Sequence, residues 1–364
     1  MSGTITRTML TAYEALAGIT LFFSGMFRSP MSNFYSTEEV EFDILRSGED
    51  ISIVVTDLST GYRMNSGDLY TNKSFKPPVH KEAVPINSFD LLKRMPGANP
   101  FADKNFRADL VVRMMWNMRK IEDKIRRAME LQAAQVLQTG TITLIDSAGN
   151  SLYTVDFAPK ATHFPTSSTA WGQTGADILG DLESLMDVIR DDGLEEPSIG
   201  VFGTDALDEL FKDTTVLARL DNRNFAMGAI EAPTMNGAGG KYHGTLTVGR
   251  YKLQIWSYNG KYIHPQTLVR TPYMAPEKVV IKSENSRLDA TFGAVPNIGQ
   301  LLGVTGTSVL PEASGRFMST SRGMDLFTNA WISPDGEQLF SGIAARPLMI
   351  PTAIDTFGCL DTGL

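Results

Sequence analysis

Residues 103–140 read DKNFRADLVVRMMWNMRKIEDKIRRAMELQAAQVLQTG. Neither glycine nor proline occurs between Asp103 and Gly140, a run far beyond the roughly 11–12 residues of an average helix. Val111, Met114, Met118, Ile121, Ile125 and Ala128 recur at alternating steps of three and four, which lines them up as one apolar stripe. Glu122 with Arg126, Asp123 with Arg127, and Arg126 with Glu130 stand at i,i+4 spacing, which predicts ion pairs along the opposite, wetted side. Thr139-Gly140 supplies the stop. The spacing predicts one helix over 104–138, roughly 50 Å long at 1.5 Å per residue. A coiled-coil repeat would next need Gln132 and Gln135 at its seam and fails too early. The charges exclude a membrane span. What is left is an amphipathic rod lying across a sheet. Trp116 and the methionines, at helical spacing, read as core. Arg107, Arg113, Arg119, Lys120, Arg126 and Arg127, interleaved with acids, read as a solvated face.

Upstream, Glu39-Val40-Glu41-Phe42-Asp43-Ile44 alternates polar and apolar and reads as a half-buried strand. A second strand is expected at 51–55, then a turn around Ser59-Thr60-Gly61. From Gly67 to Pro85 the chain is polar, with Lys73, Lys76 and Lys81 beside Pro77, Pro78 and Pro85. Proline removes a donor and fixes φ, so neither a helix nor a central strand fits there. Loops of this length in a compact domain are uncommon unless they do a job. A two-stranded loop lying on a neighbouring subunit and a mobile surface insertion both account for the composition.

Downstream the period changes. Residues 141–145 and 152–157 flank Ser147-Ala148-Gly149-Asn150 as a β-hairpin. Pro159 to Gly175, rich in Thr, Ser and Gly, reads as a connection between domains. A mixed α/β unit follows. It has a helix on Ile178, Leu182, Leu185 and Ile189 closed by Asp192-Gly193, a buried strand at 198–202, and a helix capped by Gly203-Thr204. Strands at 242–248 and 251–258 turn at Gly249-Arg250, with another strand at 279–281. Near the end, 331–336 reads as a turn before strands at 338–342 and 348–350.

With 364 residues, 42% hydrophobic and 20% charged, the chain is an ordinary folded protein of one large or two domains. A net charge of −8 argues against nucleic-acid binding through overall charge and favours solubility. Cys359 is the one cysteine, so no internal disulfide or thiolate cluster can form, which fits a reducing compartment. Met9 to Phe27 is apolar after Arg7, but Glu14 interrupts it and no small-x-small cleavage site precedes Phe27-Arg28-Ser29-Pro30. It reads as a helical arm docking its apolar face on protein.

No motif carries catalysis, a cofactor or a metal. His80, His163, His243 and His264 are scattered, without a His-x-x-x-His pair. No Gly-x-Ser-x-Gly elbow occurs. Asp191-Asp192 and Glu195-Glu196 read as solvated surface. Gly237-Ala238-Gly239-Gly240-Lys241 misses the phosphate-loop pattern, because Tyr242 stands where a magnesium-binding hydroxyl is needed. A flexible loop before a strand explains it better.

Taken in order, these elements resemble the lambda-type family of tailed-bacteriophage major capsid proteins, of the Hong Kong ninety-seven-type fold. Leu21-Phe22-Phe23 to Phe27-Arg28-Ser29 is similar to the family's aromatic N-terminal segment, and 40–44 to the strand entering its extended loop. Leu91-Leu92-Lys93-Arg94-Met95-Pro96-Gly97 resembles the loop exit. The stretch from Arg113-Met114-Met115-Trp116 to Thr139-Gly140 resembles the spine helix. Gly200-Val201-Phe202-Gly203 and 251–258 resemble core strands of the axial domain, and Ala345-Arg346-Pro347-Leu348 the closing strand.

The resemblance implies an α+β phage major capsid fold. Its parts would be an N-terminal arm at 1–35, an extended β-loop at 36–100, a peripheral domain at 101–172 and 318–364 carrying the spine helix 104–138, and a mixed α/β axial domain at 173–317. It implies a major head protein that forms pentamers and hexamers of an icosahedral virion shell around double-stranded DNA, without sequence-specific binding. It further implies scaffold, portal and decoration partners, no membrane, no cofactor, and assembly in the host bacterial cytoplasm. Lys73, Lys76 and Lys81 raise the question of covalent cross-linking, but the lambda-type resemblance points to non-covalent reinforcement. Two other readings stay open: an encapsulin-like cellular compartment of the same fold, and a soluble oligomeric α/β enzyme, which would show small oligomers and a polar pocket.

Overall fold

The computed structural model describes residues 21–30, 33–35, 37, 39–45, 70–93, 106–146, 148–213, 215–216, 239–295 and 326–364, with backbone alone at 41–45 and 70–73. The arm before Leu21, the strand expected at 51–55, the turn at 59–61, most of the expected loop exit and the expected helix start at 104 lie outside them.

In chain order the elements are β1 (Phe34–Tyr35), β2 (Val40–Leu45), β3 (Tyr70–Phe75), β4 (His80–Asn87), α1 (Ser88–Leu92), α2 (Phe106–Thr139), β5 (Thr141–Ile145) and β6 (Ser151–Asp156). Then come α3 (Ile178–Gly193), β7 (Pro197–Phe202), α4 (Thr204–Lys212), β8 (Gly240–Val248), β9 (Tyr251–Tyr258), β10 (Lys261–Ile263) and β11 (Arg270–Pro272). The chain closes with β12 (Lys278–Ser283), β13 (Leu288–Gly293), β14 (Phe327–Ile332), β15 (Gln338–Ala345), β16 (Pro347–Pro351) and β17 (Phe357–Asp361).

The long helix is α2, and it ends where the sequence predicts. Gly140 adopts φ +67° and donates its N–H to the Val136 carbonyl at 2.8 Å, and a Cβ there would collide with Pro159. Its apolar stripe is narrower and longer than read from spacing. Met114, Met118, Ile121 and Ile125 are buried, Val111 and Ala128 only partly, and the stripe runs on through Met129, Ala133, Val136 and Leu137. Two of the three expected ion pairs do not form. Glu122 does bond Arg126, at 3.4 Å, but Asp123 pairs with Arg119, and Glu130 turns inward. Trp116, expected in the core, is 54% exposed. It lies on the side of the helix opposite Met114 and Met118, so the periodicity that buries them turns it out.

A five-stranded sheet of order β17-β12-β7-β9-β8 has β7 and β9 parallel and its other pairs antiparallel. Its central strand sequences alternate between two cores. Val279 and Ile281 pack with α3 and α4, and Val280 faces the α2 side, as expected for strands covered on both faces. The C-terminal β17, from the stretch expected with the peripheral elements, is the edge strand here. A second sheet, β14-β15-β4, is antiparallel, and a third, β1-β13-β16, runs beneath α2. Pro85 sits in β4 opposite Phe340, on a sheet edge where its missing N–H disturbs no second ladder. The pairs β2-β3, β5-β6 and β10-β11 are separate two-stranded ribbons.

Other expectations shift in detail. The turn expected at 331–336 is shorter: Trp331 and Ile332 close β14, and the turn is Ser333–Gly336. The Thr204 hydroxyl does not cap α4. The Pro276 carbonyl accepts from the Asp205 and Ala206 N–H groups instead. The connection after Pro159 is stitched to β17, Ser167 and Trp171 donating to the Asp361 and Thr362 carbonyls at 2.8 and 3.0 Å.

Candidate functional site

The last dozen residues of α2, 128–139, carry one charged residue, Glu130, and it has no solvent exposure. Its two carboxylate oxygens accept the backbone N–H groups of Phe23 and Ser24, each at 2.8 Å. The Tyr258 hydroxyl bonds it as well. Burial pushes the Glu130 carboxyl above the usual glutamate range, while the hydrogen bonds from the arm and Tyr258 pull the other way without cancelling it. Tyr258 is itself raised, first by burial and then by the neighbouring Glu130 charge.

Aromatic rings complete this dock. Phe22 and Phe23 are fully buried. Phe22 stacks on Tyr258 at 5.1 Å, and Phe23 meets the same ring edge-on at 5.3 Å. The Phe22 ring lies so close to Gly240 that any Cβ at 240 would overlap it. The arm then runs along β13: Arg28 donates to Leu288 O at 2.8 Å, and Ala290 donates to Arg28 O at 2.7 Å. β1 adds to β13 in parallel, with Phe34 stacked on Phe292 at 5.0 Å. The sequence predicts a docked helix. Within 21–30 the arm docks instead through a 3-10 turn, Ser24–Met26, because two N–H groups go to Glu130 rather than to a helical turn. A lone charge among MELQAAQVLQ was the available signal for this site, hidden by Arg126 at i−4.

The part of α2 before Ala128 is built differently. Val112, Trp116, Lys120, Lys124 and Arg127 form an exposed stripe. The acids interleaved with them in sequence are drawn aside: Glu122 is buried between Arg119 and Arg126 at 3.5 and 3.4 Å, and Asp123 bonds Arg119 at 3.4 Å. Lys124 reaches Glu82 of β4 at 2.8 Å. Below Lys124 the stripe enters a groove of about 1140 Å³ between α2, β4, β5 and the β10-β11 ribbon. The Gln135 amide pairs with both N–H and C=O of Thr143, blunting the β5 edge that faces it.

Comparison with known proteins places these features. A sequence model described as phage major capsid protein E matches residues 6–358. The chain belongs to the phage major capsid protein E family. A prophage capsid protein of E. coli CFT073 superposes with TM-score 0.66 at 16% identity, covering 97% of this chain and 98% of that one, so the two share a fold. A phage-related protein of Bordetella bronchiseptica RB50 gives TM-score 0.48 at 12% identity, covering 98% and 97%. The capsid protein of cyanophage P-SCSP1u gives 0.44 at 11%, covering 95% and 89%. No curated protein sequence matches significantly.

In this phage major capsid protein several titratable groups tie segments of the chain together. His163 is buried, with Nδ1 2.9 Å from the Phe357 carbonyl and Nε2 3.1 Å from Asp192. Lys160 joins Asp192 at 2.6 Å. Burial alone would raise the Asp192 carboxyl, but the bonds from Lys160 and His163 hold it below the usual range. So Asp192, expected as solvated surface, clamps α3 to the connection at Lys160 and His163. Glu195 likewise accepts from the Ser283 hydroxyl at 2.8 Å. Lys241, from the phosphate-loop candidate, lies in β8 opposite Ser257 rather than at a helix start, and Gly237 and Ala238 fall outside the described residues. The Cys359 thiol is pushed up to about 12 by burial and is inert. Lys76 stands 3.9 Å from Glu39, and Lys81 pairs in register with Ala344. Among the described residues no group of His, Cys, Asp and Glu could hold a metal, and no helix is long and apolar enough to cross a membrane.

Proposed function

We propose that copies of this capsid protein assemble as pentamers and hexamers of an icosahedral shell enclosing packaged double-stranded DNA. The chain would read no sequence in that DNA. The arm at 1–35 and the extended loop at 36–100 reach neighbouring subunits. The elements at 101–172 and 318–364 form the peripheral domain, and those at 173–317 the axial domain, with β13 and β17 exchanged between them. Scaffold, portal and decoration proteins are its partners, and assembly takes place in the host bacterial cytoplasm.

The observation that carries this reading is the β2-β3 ribbon, joined to no other sheet among the described residues and rooted by Phe75 against Phe157 at 5.4 Å. A ribbon paired only with itself is marginally stable in water, and a neighbouring subunit's surface supplies the missing partner. Shell stability then comes from many modest interfaces repeated by symmetry.

Electron microscopy of the expressed full chain tests it. Rings of five and six subunits, or closed shells, are expected. A stable dimer across varied salt, pH and concentration would overturn it, and a co-purifying cargo enzyme would favour the encapsulin-like alternative.

A further inference from the structure

Asn259 and Gly260 form the joint between β9, which ends at Tyr258, and β10, which begins at Lys261. Asn259 is exposed and lines the groove of about 1140 Å³ beside α2. Among the described residues its side-chain amide has no hydrogen-bond partner, and neither has the Gly260 N–H. Gly260 is tied through its carbonyl, which accepts from the Tyr273 N–H at 3.0 Å.

Other asparagines followed by a small polar residue are held differently. The N–H groups of Ser88 and Ser286, which follow Asn87 and Asn285, donate to the Glu337 and Ser283 carbonyls at 3.0 and 3.3 Å. The Asn150 side chain, before Ser151, donates to Asp146 at 3.2 Å. Only at 259–260, among these described pairs, are the side-chain amide and the following N–H both free.

We propose that Asn259 is a self-processing modification site, converted to aspartate and isoaspartate through Gly260. The Gly260 backbone nitrogen attacks the Asn259 side-chain carbonyl carbon and closes a five-membered ring. Glycine permits the approach because no side chain shields its nitrogen, and the two reacting groups are already neighbours on the chain. The Gly260 proton passes to the amide nitrogen, which leaves as ammonia, and a succinimide remains. Water adds to either imide carbonyl and opens the ring. One water is consumed and one ammonia released, with no oxidant or cofactor.

The product is a carboxylate on a groove wall where Arg127, Lys261 and Arg270 have none within 4.0 Å among the described residues. Ageing of the subunit therefore moves this groove toward neutrality. Isoaspartate also routes the main chain through the side-chain carbon. That lengthens the joint next to Tyr258, whose hydroxyl bonds Glu130.

Incubation of the purified full chain at mildly alkaline pH, with peptide mapping by mass spectrometry and isoaspartyl methyltransferase labelling, tests this. The peptide holding residue 259 should gain the mass of an amide-to-acid exchange several-fold faster than those holding Asn87, Asn150 and Asn285. Both isoaspartate and aspartate should appear there. Asn259→Gln, whose longer side chain cannot close the five-membered ring, should remove the conversion at 259 while leaving the other peptides unchanged. No conversion at 259, or a rate no faster than at the three serine pairs, overturns the proposal. Aspartate without isoaspartate overturns the cyclic route through Gly260.

Discussion

From Phe106 to Arg127 the spine helix α2 buries one stripe and leaves Val112, Trp116, Lys120, Lys124 and Arg127 in solvent, whereas from Ala128 to Gln138 no residue is exposed. Backbone geometry is the same in both segments, so the difference lies in what surrounds each. The segment after Arg127 is wrapped by the arm, by β15 and β16, and by Tyr258 and Tyr273. Glu130 and Gln138 are its polar fastenings. Glu130 takes the arm, and Gln138 donates to Tyr273 O at 2.8 Å and accepts from Ala275 N at 2.9 Å. One helix therefore joins a fixed anchor for its own chain to an open face. Buried polar groups that each find partners specify one arrangement, and an exposed cationic face leaves room for a neighbour.

The contrast can be broken by substitution. The largest effect is expected for Phe23→Ala in the dock. It empties a fully buried site and should cost about 3–5 kcal/mol in denaturant unfolding of the subunit. A loss under about 1 kcal/mol would mean that the arm is not part of the folded core. Glu130→Ala should come next, at roughly 2–4 kcal/mol, because it orphans two buried backbone donors. Glu130→Gln keeps one acceptor and should lose less, and equal losses would show that both donors find water instead.

A smaller effect is expected from pH. The folded chain holds the Glu130 proton more tightly than the unfolded chain, since burial raises this carboxyl. Its stabilising contribution is therefore complete below the ordinary glutamate range and is lost as pH rises through the raised value. The stability of the parent relative to Glu130→Gln should fall with increasing pH across that window. A flat difference in parallel unfolding titrations would contradict the buried geometry. Smallest of all, Trp116→Ala and Lys120→Ala on the open face should leave subunit stability within about 0.5 kcal/mol. A larger loss by the same unfolding assay would show that this face packs inside the subunit.

Much of the fold was legible in the chain. The glycine- and proline-free run, its stop at Gly140, the hairpin after it, and the α3-β7-α4-β8-β9 succession all follow from local periodicity and turn chemistry. What escaped was short or non-local. β10, β11, β13 and β17 are three to six residues long and carry little pattern of their own, and β17 is a strand only because β12 pairs with it. The i,i+4 rule found Glu122 with Arg126 and misassigned Glu130, because a helix-local rule cannot see an arm more than a hundred residues away in sequence.

The sequence by itself determined where the spine helix runs and which stripe it buries, because 3.6-residue periodicity and the breakers at its end are local properties. Tertiary structure alone decided that the helix changes character at Arg127. Glu130 becomes an acceptor for the arm only when Phe22 and Phe23 seal it from water. Lys120 and Arg127 become an open cationic face only when Arg119 and Arg126 have taken the neighbouring acids. Both outcomes depend on which charges are desolvated together, and that is settled by packing between segments far apart in the chain.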